Sequence, residues 1–249
     1  MIGKTMKTAK FRFVATHFAI SVFIACCVAL VVFLLWYPVP LNTAVGVTYI
    51  FLMMLGIDMV LGPFFTWLVY KEGKKSLKFD LTIIILIQVL ALGFGLYKIA
   101  DGRPVWIVFN VDRFELVKNN EVLIQDIAKV SEPFRQNSYL KPKFAATQFA
   151  SDAKTRTSDL MNEILNGVSI AQRSERYIPL EKAKNQILKR SQPLSLLNKY
   201  NTRQQVEQIL SQYPDAKTYL PLSATKQDMT VLLNHQGEVI KIVDLRPWN

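Results

Sequence analysis

Long apolar runs dominate the first hundred positions of the chain, and shorter mixed patterns follow them. Three of these runs carry almost no charge, and they cover residues 13–37, 43–70 and 80–98. A helix needs roughly 20 predominantly apolar residues to cross about 30 Å of hydrocarbon. The pattern therefore predicts a transmembrane domain of three helices over residues 1–100.

The first apolar run has a basic start, which is also a feature of secretory signal peptides. It is longer than the roughly 7 to 15 residues of a signal core, and it ends in Trp36, Tyr37 and Pro38 instead of small residues suited to cleavage. We therefore expect this run to be a permanent membrane anchor.

The cations of the short loops predict the orientation, because Lys and Arg accumulate on the cytoplasmic side. The segment 38–42 has none, whereas the segment 71–78 has four lysines. Lys4, Lys7, Lys10 and Arg12 precede the first run, and Lys98 and Arg103 follow the third. This distribution places the amino terminus and the 71–78 loop in the cytoplasm, and residues 101–249 on the other side of the membrane.

Residues 101–249 show the patterns of a mixed soluble domain. Alternating, β-branched and aromatic positions predict strands at 105–111, 115–117, 122–124, 218–222, 230–234 and 238–245. Apolar residues at helical spacing predict helices at 154–173, 180–190 and 202–213, with Thr202 as an N-cap. The segment 235–237 is expected to be the turn of a terminal hairpin. Strands, helices and strands in that order indicate an α+β fold.

Composition and charge exclude several function classes. The net charge of +11 could suggest nucleic-acid binding, but residues 101–249 lack a basic run interleaved with aromatic residues. The two cysteines, Cys26 and Cys27, are adjacent inside the first apolar run, so they build neither a metal site nor a disulfide framework. The chain has no glycine-rich phosphate loop and no nucleophile elbow. We expect no cofactor, no metal and no enzymatic activity.

Asp58 is the one charge deep inside an apolar run, and such residues usually face a partner. Gly56 and Gly62 give its helix a small-residue face, and Pro63 predicts a kink. The face could pack against the chain's own spans or against a transmembrane helix of another protein. An aspartyl protease pair with Asp80 is disfavoured, because the two carboxylates lie at different depths.

Three segments resemble a known family. They are GIDMVLGPFFT at 56–66, KKSLKFD at 74–80 and RPVWIVFNVDRF at 103–114, and together they look like the TfpX/TfpZ family of type IV pilin accessory proteins. The end of the chain, including Pro247 and Trp248, is similar as well. The resemblance implies a multi-pass protein of the bacterial cell inner membrane that assists pilus, or fimbrium, assembly, with residues 101–249 as its periplasmic domain.

In that role the chain would stabilise or present the pilin subunit, and its partners would be membrane lipid, the major type IV pilin and other pilus assembly components. The hypothesised contact residues form two groups: Asp58, Gly56, Gly62 and Pro63 within the bilayer, and Arg103, Asp112, Arg113 and Phe114 outside it. For Asp112 and Arg113 a simple surface ion pair is an open alternative.

Two other functions stay open at this stage. The chain could be a regulator that restrains pilus production, or a membrane enzyme or sensor that uses Asp58. Deleting the gene distinguishes a restraining regulator from an assembly factor. Piliation would rise after loss of the regulator and fall after loss of the assembly factor.

Overall fold

The computed structural model describes residues 2–248, and the surroundings of their side chains from Ala9 onward. The side chains of Lys4 and Lys7, used above for the orientation, lie outside this described part. The structure divides into two compact units. One comprises the chain up to Leu35 together with Val47–Asp101, and the other comprises Trp36–Gly46 together with the chain from Gly102 onward.

The first hundred residues form four helices. They are α1 (Ile2–Val31), α2 (Leu41–Val45), α3 (Val47–Val69) and α4 (Leu77–Asp101). The π-helical turn Val32–Trp36 continues α1. Helix α1 with this turn, α3 and α4 are long and apolar enough to cross a membrane, so the predicted number of three candidate spans is confirmed.

Within the first unit, α1 and α4 each pack along α3. The side chain of Met54 on α3 lies so close to Gly95 on α4 that a Cβ atom at Gly95 would collide with its sulfur. The apolar side chains that α3 and α4 do not use for packing point outward, for example Leu68 and Ile87, which are about 60% exposed. These outward faces suit contact with lipid.

The segment between the first two spans belongs to the second unit. Leu41 and Ala44 of α2 are buried there, in one cluster with Leu222 and Met229. The carbonyl oxygen of Ala44 accepts hydrogen bonds from the backbone N–H groups of residues 226 and 227, at 2.9 and 3.1 Å. Helix α3 therefore begins at Val47, four residues after the start that the sequence predicted for the second span. Gly46, with φ of 77°, ends α2 and separates it from α3.

A mixed eight-stranded sheet is the framework of the second unit. Its strands are β1 (Pro104–Asn110), β2 (Arg113–Lys118), β3 (Lys143–Thr147), β4 (Tyr177–Ile178), β5 (Gln192–Pro193), β6 (Thr218–Ser223), β7 (Met229–Leu233) and β8 (Val239–Val243). The order is β4-β3-β1-β2-β6-β7-β8, and β5 pairs with β6. The β1–β3 and β2–β6 pairs are parallel, whereas the others are antiparallel.

Helices and loops complete the second unit and confirm the predicted α+β fold. The helices are α5 (Ala153–Asn166), α6 (Lys184–Arg190) and α7 (Arg203–Leu210). Side chains that alternate along β1 enter two different core clusters. Ile107 and Phe109 join the cluster that contains α2, while Trp106 packs edge-on against the rings of Phe134 and Tyr177. Thr202 caps α7 as predicted, since its hydroxyl accepts a hydrogen bond from the Gln205 N–H.

Three local predictions differ from the structure. Residues 122–124 form no strand, and Leu123 makes only an isolated bridge with Arg173. The helix predicted for 154–173 ends at Asn166, because Gly167 adopts the left-handed conformation with φ of 65°. Strand β3 was not expected, since two of its five residues are alanines of low strand propensity.

Helix α5 is held by its polar side. The Asp159 carboxylate is buried and pairs with Arg173 at 3.5 Å and with Arg176 at 2.9 Å. The apolar residues Ile164 and Leu165 are instead 74% and 70% exposed. Ion pairing, and not burial of its apolar face, therefore attaches this helix to the domain.

Burial of Tyr177 makes the stability of the domain sensitive to alkaline pH. Burial raises the pKa of the Tyr177 phenol, whose O–H donates to the carbonyl oxygen of Ala171 at 2.5 Å. The folded domain thus keeps a proton that the unfolded chain releases above about pH 10. Stability should be complete below that pH and fall as the pH rises further.

Thermal unfolding of the detergent-solubilised protein between pH 8 and 11 tests this. Above about pH 10, where the tyrosine begins to ionise in the unfolded chain, the melting temperature of Tyr177→Phe should fall less steeply with pH than that of the wild type. Part of the slope should remain, because burial also raises the pKa of Tyr219. An unchanged slope in Tyr177→Phe would contradict the assignment.

Candidate functional site

Asp58 lies near the middle of the second span. It is eleven residues before Val69, the last residue of α3, or roughly 16 Å at 1.5 Å per residue. Its Oδ2 atom is buried and has no hydrogen-bond partner among the described residues. An unsatisfied acceptor at this depth is costly, and ionisable residues within spans usually mark a functional site.

A chain of hydrogen bonds links all three spans beside Asp58. Gln88 on α4 donates from Nε2 to the backbone carbonyl of Asp58 at 3.0 Å. The Oε1 atom of Gln88 lies 3.0 Å from Nε2 of His17 on α1, and Nδ1 of His17 lies 2.7 Å from the Thr66 hydroxyl on α3. Because Oε1 only accepts, the proton of a neutral His17 is on Nε2, and the Thr66 hydroxyl then donates to Nδ1.

This network was not predicted from the sequence. None of His17, Thr66 and Gln88 was named there as a candidate site residue. A comparison of the polar positions in the three apolar runs by their depth could have found it. The described residues contain no group of three or more His, Cys, Asp or Glu that could hold a metal ion.

A groove with a volume of about 580 Å³ lies over Asp58. Its walls come from α1, α3 and α4, and they are mostly aliphatic, as with Ile20, Ile24 and Ile85. Asp58 and Gln88 line it, and so does Arg12, which lies toward the start of the first span. We call this feature the intramembrane groove. It can take an apolar segment that carries one polar group.

The small residues near Asp58 have different roles. A Cβ atom at Gly62 would come within 2.1 Å of the Gln88 side-chain amide, so Gly62 makes room for Gln88. Pro63 is buried next to it. A Cβ atom at Gly56 would meet nothing within 4 Å, so Gly56 faces open space.

The two glycines provide a matched test of the network. Gly62→Ala should displace the Gln88 amide and break its hydrogen bonds to His17 and Asp58, which costs about 1–2 kcal/mol. Gly56→Ala should be neutral or slightly stabilising, because alanine is the better helix former. Thermal unfolding in detergent compares them, and equal melting temperatures would show that Gln88 relocates without loss.

The second group of predicted contact residues is only partly on the surface. Phe114 is fully buried, and its ring packs edge-on against Phe109 and Phe144. Arg103 is also buried and donates to the carbonyl oxygen of Ser138 at 3.0 Å. Asp112 is exposed in the β1–β2 turn.

Arg113, which follows Asp112, is partly exposed and lies 3.7 Å from the Glu115 carboxylate and 4.0 Å from that of Asp112. The turn also contains a strained residue, since Val111 has φ of 58°. A β-branched side chain is rarely found in this left-handed region, and such residues are enriched at functional sites. We call Val111, Asp112 and Arg113 the hairpin tip.

Comparison with known proteins places the chain in a family. The profile of the family described as Fimbrial assembly protein FimB matches residues 6–46. The fimbrial assembly protein of serogroup I of Dichelobacter nodosus is 29% identical over 207 residues, which are 80% of this chain and 80% of that protein. The protein of serogroups C1 and C2 is 31% identical over 128 residues, which are 49% of this chain and 98% of that protein. The chain belongs to the fimbrial assembly protein family.

The segment matched by the fimbrial assembly profile has two structural parts. It covers α1 from residue 6 onward, with the π-helical turn, and then continues through the α2 segment to Gly46. It thus includes His17 of the intramembrane network and Leu41 of the soluble core. No solved structure matches the chain.

Proposed function

We propose that this fimbrial assembly protein is a non-enzymatic accessory factor of the TfpX/TfpZ kind, which stabilises or presents the major type IV pilin for assembly at the inner membrane. Its amino terminus is cytoplasmic, and Trp36–Gly46 and residues from Gly102 onward are periplasmic. The family membership supports a role in fimbrial biogenesis. The observation that carries the proposal is the Asp58 Oδ2 atom in the intramembrane groove, which has no hydrogen-bond partner in the described part of the chain.

The arrangement of loop and domain supports this topology. The loop between the first two spans and the domain after the third span form one unit, so they lie on the same side of the membrane. The lysines of the 71–78 loop favour the cytoplasm for the opposite side.

Two surfaces are available for a pilin subunit in this proposal. The intramembrane groove would hold the part of the pilin that lies in the bilayer. The hairpin tip would contact the part outside, with the exposed Asp112 and Arg113 as its contact residues. Phe114 would support this turn from inside the domain, whereas Arg103 lies at the other end of the hairpin, where its carbonyl oxygen accepts from the Asn119 N–H.

Deleting the gene and restoring it with variants tests the role in assembly. We expect deletion to lower surface piliation and the level of membrane pilin, and the wild-type gene to restore both. Asp58→Asn should restore them only in part, whereas the control Asp80→Asn should restore them well, because Asp80 pairs with Lys74 and does not line the groove. A rise in piliation upon deletion would instead assign the chain a restraining function.

A photo-crosslinker placed at residue 113 tests the hairpin tip in the same cells. Capture of the major pilin would support direct contact outside the bilayer. The matched control is residue 129, an exposed lysine outside the hairpin tip. Equal capture at both positions would contradict specific binding at the tip.

A further inference from the structure

We propose that the intramembrane groove holds a single transmembrane helix of the pilin, and that it recognises this helix by an N–H or O–H donor that reaches the Asp58 carboxylate. The identity of the occupant as pilin rests on the proposed function above. The chemistry of the occupant, an apolar helix with one donor at the depth of Asp58, follows from the groove itself.

The shape of the groove suits a helix. Its lining follows α1 from Ala9 to Ala25, which is roughly 24 Å at 1.5 Å per residue. Helices α1 and α4 both pack on α3. Residues from all three spans line it, and apolar side chains dominate the lining. A fourth helix packed there would add a matching apolar surface.

The hydrogen bonds around the groove explain why Asp58 is the recognising group. His17 is hydrogen-bonded to both Thr66 and Gln88, and Gln88 also donates to the Asp58 backbone carbonyl. These contacts join α1 and α4 across α3 and hold the walls in place. The Oδ2 atom of Asp58 is left without a partner among the described residues.

The unpaired oxygen distinguishes a protein helix from a lipid chain as the occupant. An acyl chain has no donor and would leave the carboxylate unsatisfied in a low-dielectric environment. A helix with a side-chain hydroxyl, amide or amino group supplies the donor and the apolar surface together. The groove therefore favours a helix over lipid.

Two neighbouring isoleucines of α4 provide a matched crosslinking test in living cells. Ile85 lines the groove and is 52% exposed, whereas Ile87 lies outside the groove and is 61% exposed. With a photo-crosslinker at each position in turn, we expect at least about tenfold more pilin captured from 85 than from 87, as for a helix packed on one face only. Capture from 85 of lipid or of a second copy of this chain, at normal pilin levels, would overturn the proposal.

The donor is tested in the chain that carries the crosslinker at position 85. Asp58→Leu should lower pilin capture by about tenfold, the size expected from one interhelical hydrogen bond, and Asp58→Asn should lower it less, because its amide oxygen still accepts. Asp80→Asn is the control and should capture pilin normally. Melting temperature and membrane abundance of each variant identify any misfolded chain.

The outcomes separate this inference from the proposed function. Undiminished capture in a folded Asp58→Leu variant would overturn recognition by a donor, while docking of pilin would stand. Absence of pilin at position 85 together with its capture at position 113 would overturn the groove as the docking site and leave the assembly role intact. Absence of pilin at both positions, with normal pilin levels, would overturn both the docking of pilin in the groove and the proposed function.

Discussion

Residues 102–249 produced without the segment Trp36–Gly46 are expected to lose about 4 kcal/mol or more of folding free energy, a large part of the roughly 5–15 kcal/mol that stabilises a typical domain. Leu41 and Ala44 are 3% and 0% exposed in the core of the second unit, to which these residues belong. Their absence leaves a cavity next to Leu222 and Met229. It also leaves two backbone N–H groups, those of residues 226 and 227, without the Ala44 carbonyl as their acceptor.

Two soluble proteins test this expectation. One begins at Gly102, and the other joins Gly46 to Gly102 by a flexible Gly/Ser linker in place of α3 and α4. The linked form should unfold cooperatively in urea, whereas the shorter form should bind a hydrophobic dye and be degraded quickly by protease. Equal stability of the two forms would contradict the structural role of the segment.

A single substitution gives the same test in the intact chain. Leu41→Ala should cost about 2–5 kcal/mol, the usual range for a fully buried leucine. The control is Val39→Ala in the same loop, because Val39 is 73% exposed and should be nearly neutral.

The second large effect is expected at α5. Asp159→Ala removes the acidic partner of Arg173 and Arg176, whose side chains are 8% and 18% exposed. Breaking a buried ion pair by removing one partner typically costs about 3–5 kcal/mol, because the other charge stays buried. Limited proteolysis should therefore cut first near α5, and the melting temperature of the domain should fall.

A surface ion pair provides the comparison. Glu132 pairs with Arg135 at 3.2 Å, but its side chain is 86% exposed. Glu132→Ala should leave the melting temperature and the proteolytic pattern unchanged, because exposed pairs contribute little. An equally small effect of Asp159→Ala would show that α5 is not held by its ion pairs.

The spans and the fold class could be predicted from the sequence, because both depend on long-range patterns. An apolar run of sufficient length has few alternatives to a membrane helix, and the order of strands and helices indicates an α+β domain. The start of the second span could not be predicted. Leu41 and Ala44 are as apolar as lipid-facing residues, and hydropathy does not distinguish burial in a protein core from burial in a bilayer.

The candidate site was predicted in outline only. Asp58 was identified by its charge within an apolar run, and Gly62 by its small size. The contact that gives Gly62 its role, with Gln88, depends on the packing of α3 on α4. Phe114 was named as a contact residue and is a core residue. Aromatic residues in short strands occur both in protein cores and in binding surfaces, and the sequence does not distinguish the two.

The segment Trp36–Gly46 also links membrane insertion to the folding of the domain. A chain in which only one of α3 and α4 crossed the bilayer would have Trp36–Gly46 and residues 102–249 on opposite sides of it. Leu41 and Ala44 could then not reach the core that they complete. The folded domain therefore reports correct insertion, and an incorrectly inserted chain would expose an incomplete core to the proteases of membrane quality control.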